Sequence, residues 1–120
     1  MKMARSKELK PVIHLRFAAK KPEEAHAAEF GPGVAALCKE VHDGSSLYQA
    51  AKKQGMSYSN AWTLIKKVES AFGVQLLVRE TTKSVKLTPE GERLVKRYFA
   101  LQEKLEAEVA RIYEEVKKIK

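Results

Sequence analysis

From Pro11 to Phe17, apolar Ile13, Leu15 and Phe17 alternate with His14 and Arg16. This is the period-two pattern of a half-buried strand, and a short leading strand is expected there. Residues 19–29 carry no clear periodicity, and Phe30-Gly31-Pro32-Gly33 then marks a turn. Val34, Leu37, Cys38 and Val41 fall at i, i+3, i+4 and i+7 and predict a first helix over roughly 33–43, with Gly44 as its stop. Ser46 followed by Gln49 is a capping-box pattern that opens a short second helix, which buries Leu47, Ala50 and Ala51 and ends at Gly55. A fresh N-cap, Ser57, begins a third helix in which Ala61, Leu64, Ile65, Val68 and Phe72 repeat with helical spacing as far as Gly73.

Beyond Gly73 the pattern changes to two short β-prone runs, Val74–Val78 and Val85–Leu87, around a polar tip, so a two-stranded hairpin is expected over 74–87. Thr88-Pro89, with Glu90 and Glu92 in the first turn, starts a last helix over 89–119. Its apolar stripe is Leu94, Tyr98, Leu101, Leu105, Val109, Ile112, Val116 and Ile119, at steps of three and four. At about 1.5 Å per residue such a helix is roughly 45 Å long, more than a domain of this size can cover. The projecting stripe needs a partner, and the same helix of a second copy supplies one. A homodimer through these eight residues is therefore expected.

The fold class that follows is mainly α with a small β component: a winged helix-turn-helix with a leading strand, a two-stranded wing and a long C-terminal dimerisation helix. The 120 residues form one domain in this reading, with the helix-turn-helix over 45–72 and the first eight residues disordered.

Charge turns this architecture towards nucleic acid. The chain has 23 Lys and Arg against 15 Asp and Glu, a formal charge of +8, which favours a polyanionic partner. Between Ser45 and Pro89 seven basic residues face only Glu69 and Glu80. An α-helix fits the major groove of double-stranded DNA, and a basic hairpin can reach the flanking backbone. Ser57, Ser59, Asn60 and Thr63, early in the third helix and mostly off its apolar stripe, are the expected base-contacting residues. The Asn60 amide can donate to and accept from adenine at once. Tyr58, Lys66, Lys67, Lys83 and Lys86 are the expected backbone contacts. Trp62, among core residues, is expected to pack rather than stack on a base.

Other chemistries have little support. Cys38 and His42 are four apart, but Cys38 lies on the apolar stripe and no further ligand is close in sequence, so no metal and no cofactor are expected. No phosphate-binding glycine motif, nucleophile elbow or isolated carboxylate pair is present, and an enzyme is not expected. A lone cysteine, no apolar run long enough to span a bilayer and no signal-like start fit a soluble cytoplasmic protein without membrane attachment.

Phe30-Gly31-Pro32-Gly33, Gly44-Ser45-Ser46, Ala50-Ala51, Gly55-Met56-Ser57-Tyr58 with Ala61-Trp62, and Leu87-Thr88 with Gly91 together give a further lead. The stretch from Phe30 to about Val95 resembles the N-terminal DNA-binding domain of the molybdate-responsive ModE regulators and, more loosely, that of LysR-type regulators. The resemblance implies a winged-helix transcription regulator that dimerises through its leading strand and last helix. The third helix would then enter the major groove. Molybdate binding is not expected, because the oxyanion-binding domains of that family have no counterpart after the long helix. The wing tip ETTKSVK is compact rather than glycine-rich, and Ser59 and Asn60 stand where charged residues are common. The alternative function is a protein-interaction module that pairs through the last helix with a separate sensor or regulator.

Overall fold

A computed structural model describes residues 10–18, 29–82 and 84–119. Among them are four helices and two antiparallel strand pairs: β1 (Phe17–Ala18), β2 (Glu29–Phe30), α1 (Pro32–His42), α2 (Leu47–Lys53), α3 (Tyr58–Phe72), β3 (Leu77–Thr81), β4 (Ser84–Leu87) and α4 (Pro89–Lys117). β1 pairs with β2 and β3 with β4. The architecture is the winged helix-turn-helix expected from the patterning, with α1 packed against α2, α3, α4, β2 and β4.

The helices start and stop where local chemistry requires. Ser46 caps α2 through a complete capping box, accepting from Gln49 N at 3.0 Å while the Gln49 side chain accepts from Ser46 N at 3.4 Å. Gly55, at φ +73°, carries the chain out of α2 in a left-handed conformation that side-chain-bearing residues rarely adopt. Ser57 then caps α3 by accepting from Asn60 N at 3.1 Å. Thr88 does the same for α4, accepting from Gly91 N at 2.9 Å, with Pro89 in the first turn.

The core joins Val34, Ala35, Leu37, Cys38 and Val41 of α1 to Leu47, Ala50 and Ala51 of α2, Ala61, Ile65 and Val68 of α3, and Leu76, Leu77, Val95 and Tyr98. An aromatic group closes its far end: Tyr98 meets Phe17, Phe30 and Phe99 edge-on at 5.2–5.5 Å between centroids. The Tyr98 hydroxyl donates to the Leu15 carbonyl at 2.7 Å, which ties α4 to the chain before β1.

Four expectations require correction. Among the described residues the leading strand is Phe17–Ala18 instead of Pro11–Phe17, because its partner β2 ends at Phe30, next to the α1 cap Gly31, and leaves residues before Phe17 nothing to pair with. Residues 10–16 run without ladder pairing, although Ile13 and Leu15 are half-buried and His14 and Arg16 exposed. The wing starts at Leu77 instead of Val74 and runs on to Thr81, because the backbone at residues 75–77 is held by α3 and Thr88. Tyr98, expected on the dimerisation stripe, is 1% exposed and belongs to the chain's own core. Ile119 lies beyond the end of α4, which stops at Lys117. The expectations for the first eight residues and for Lys83 fall outside the described residues.

Gly91 sits where α4 meets the backbone before β3. A Cβ there would lie 2.5 Å from the Leu76 carbonyl oxygen, closer than any side chain tolerates. Gly91→Ala is therefore expected to destabilise the fold by about 1–3 kcal/mol, read as a lower urea midpoint.

Burial, and secondarily the Glu69 charge, push the Cys38 thiol from 9.0 up to about 12. Both folded and unfolded thiols are protonated below pH 9, so the contribution is intact there. Above that the unfolded thiol ionises first and stability falls as pH rises towards 12. Cys38→Ala should flatten the decline of the urea midpoint in that alkaline range, and native Cys38 should resist alkylation at pH 8 until the chain is unfolded.

Candidate nucleic-acid interface

α3 is amphipathic, and its exposed face is polar from the first residue. Ala61, Ile65 and Val68 are buried, whereas Ser57, Ser59, Asn60, Thr63, Lys66 and Lys67 are exposed. All four expected base-contacting residues thus lie together at the start of one helix. Their hydrogen-bonding capacity differs. Ser57 Oγ is engaged as the helix cap, and Thr63 Oγ1 donates to the Ser59 carbonyl at 3.0 Å. The Asn60 side-chain amide has no partner among the described residues, which leaves its donors and acceptor available to a ligand.

The expected backbone residues divide by charge compensation. Lys66 Nζ lies 3.5 Å from Glu69 Oε1, and Lys86 Nζ lies 3.1 Å from Glu80 Oε2. The Lys86–Glu80 pair is exposed on both sides and contributes at most about 1 kcal/mol, so a phosphate can replace that carboxylate at little cost. Lys67 is exposed and has no carboxylate partner among the described residues.

Two residues matter more than their sequence context indicates. Glu69 counts in the sequence as one of two acids in a basic segment. In the structure its side chain is only 11% exposed, and its Oε2 accepts from Leu76 N at 2.7 Å and Leu77 N at 3.2 Å. Glu69 thereby fixes the angle at which the chain leaves α3 for the wing. No local signal marks it, since its partners lie seven and eight residues ahead beyond a glycine turn. The other is Arg79 of β3, whose guanidinium lies over the Trp62 ring at 5.0 Å from the centroid.

Trp62 packs against the rim of the core, half-buried, as its surroundings in the sequence indicate. Tyr58 meets it edge-on at 6.5 Å, and Lys66 Nζ sits over the same ring at 5.2 Å. The indole N–H is buried and has no hydrogen-bond partner among the described residues. Its proximity, followed by that of Arg79, favours the Tyr58 phenolate and brings this hydroxyl below its ordinary pKa. The α3–wing junction is thus a cationic surface built on aromatic faces. Cys38 is fully buried in the core, while His42 is exposed with Nδ1 at 3.5 Å from Glu92 Oε2. No helix among the described residues is long and apolar enough to cross a membrane.

Residues 35–92 match the bacterial regulatory helix-turn-helix proteins of the lysR family. The matched stretch runs from α1 through the first turn of α4 and contains the whole of α2, α3 and the wing. No curated protein matches the chain. A helix-turn-helix domain of this type implies a DNA-binding transcription regulator, and the match and the geometry together support a LysR-type winged helix-turn-helix DNA-binding domain over these residues.

Proposed function

We propose that the protein is a homodimeric regulator that recognises a specific sequence in double-stranded DNA in the cytoplasm. α3 enters the major groove and the wing lies along the flanking backbone. The observation that carries this reading is the exposed polar face at the start of α3, where the Asn60 amide has no partner among the described residues. Asn60 reads a base, with Ser57, Ser59 and Thr63 around it. Tyr58, Lys66, Lys67 and Lys86 hold phosphates, and Lys83, which the sequence adds to this basic set, joins them. Within the winged-helix regulators we assign the domain to the ModE type, on Phe30-Gly31-Pro32-Gly33 and Ala61-Trp62.

Dimerisation follows from α4. Its 29 residues span about 43 Å. From Leu101 onward the stripe is uncovered: Leu101, Ile112 at 50% and Val116 at 51% are exposed, and Leu105 and Val109 between them are half-buried. Leu94 is half-buried against the domain core and stands at the inner end of the same stripe. A two-fold axis through this surface covers it with an identical surface and brings two α3 helices to one face of the duplex. The same stripe also supports pairing with a different chain, which the mass of the purified protein in solution distinguishes.

A binding profile over randomised duplexes should give an inverted repeat with half-sites about 34–36 Å apart, or a multiple of this. Asn60→Ala should relax the preference at one position of each half-site by about 1–3 kcal/mol. Lys67→Ala should weaken all duplexes alike and reduce the slope of log affinity against log salt by about one. Ile112→Glu, which places a charge in the apolar seam, should raise the dimer dissociation constant by at least roughly an order of magnitude in sedimentation equilibrium.

A further inference from the structure

We propose that Arg79 and the Tyr58 hydroxyl form a clamp for one DNA phosphate, held ready by Trp62 at the junction of α3 and the wing. The inference rests on the DNA-binding reading and adds to it a site that joins the two elements. Tyr58, Trp62 and Lys66 come from α3 and Arg79 from β3, so the cluster crosses from the recognition helix to the wing.

Charge is the first reason. Two cations, Lys66 and Arg79, share the Trp62 ring. Of the two acids between Ser45 and Pro89, Glu69 pairs with Lys66 through one oxygen and holds the backbone of Leu76 and Leu77 with the other, and Glu80 pairs with Lys86. Arg79 has no carboxylate partner among the described residues, and its one hydrogen bond there, from Nη1 to the Thr82 carbonyl, is long at 3.5 Å. Most of its five N–H donors are therefore unengaged.

Pre-organisation is the second. An exposed arginine ordinarily samples many rotamers, and fixing it on a ligand costs entropy. Here the Trp62 face holds the guanidinium before any ligand arrives, and the planar donor fork matches a phosphate. Tyr58, 37% exposed and edge-on to the same ring, contributes a neutral donor. The clamp carries no sequence information. It sets the angle of α3 in the groove through the wing, which makes Trp62 a positioning residue and Arg79 and Tyr58 contact residues.

The test is duplex affinity as a function of potassium chloride concentration for the full chain and for Arg79→Ala, Arg79→Lys, Tyr58→Phe, Trp62→Phe and Lys67→Ala. Thermal melts confirm that each variant is folded. Arg79→Ala should weaken cognate and scrambled duplexes alike, by roughly five- to tenfold, and lower the salt slope by about one. Arg79→Lys should restore the slope while recovering only part of the affinity, because an ammonium lacks the fork. Tyr58→Phe should weaken binding with the slope unchanged, since no charge is lost. Combining Trp62→Phe with Arg79→Ala should give less than the product of the two separate effects. The fluorescence of Trp62, the sole tryptophan, should respond to duplex in the wild type and less in Arg79→Ala. If the wild type binds duplex and Lys67→Ala lowers the slope while Arg79→Ala changes neither slope nor affinity, the clamp is wrong and the DNA reading stands. Absence of any duplex binding by the wild type overturns both.

Discussion

The backbone of Leu76 is the point at which the three functional parts of the molecule are fastened. Its N–H donates to Glu69 at the end of α3, and its carbonyl accepts from the backbone N–H of Thr88, the residue that caps α4. The Thr88 hydroxyl donates to the carbonyl of neighbouring Gln75. Gly91 lets the first turn of α4 lie directly on that peptide. Four interactions within a few residues thus orient α3, the wing and α4 relative to one another. Each is buried or half-buried, and a buried backbone group left without its partner costs about 1–3 kcal/mol, so the junction resists rearrangement.

This junction explains how so small a domain can present a defined surface. α3 presents a polar face in its first two turns, the face proposed to read the duplex, and its last turn, through Glu69, holds the wing. A helix tethered at only one end would sample a range of angles in a groove, and its side chains would lose register with the bases. The wing, fixed at Leu77 by Glu69 and at Thr88 by the α4 cap, carries Arg79 and Lys86 at a set distance from Asn60. α4 extends the same frame outward: Tyr98 locks its first half into the core, and its second half leaves the domain with an apolar face exposed. The geometry of a dimer would therefore be transmitted to α3 through Leu76.

Much of this was legible in the sequence because the signals are local. Caps at Ser46, Ser57 and Thr88, stops at Gly44, Gly55 and Gly73, and the stripes between them define α1 to α4 within one or two residues. The polar start of α3 follows from the same periodicity. Non-local pairing was not legible. The alternation from Ile13 to Phe17 records which side chains meet the core, but ladder bonds depend on a partner strand that ends at Phe30. Tyr98 continues the α4 stripe in sequence, and only the positions of Phe17, Phe30 and Leu15 show that it faces inward. Glu69 and Arg79 look like solvated charges in sequence, because their partners are a turn and a strand away.

In the proposed function α3 and the wing act as one duplex-reading surface. Chemical-shift mapping of isotopically labelled protein titrated with a duplex bearing the selected site tests it most directly. The largest amide and side-chain shifts should cluster at residues 57–67, at Arg79 and at Lys86, including the Asn60 amide and Trp62 indole resonances, and all should titrate with one dissociation constant. Shifts confined to the second half of α4, or separate titrations for α3 and the wing, would contradict it.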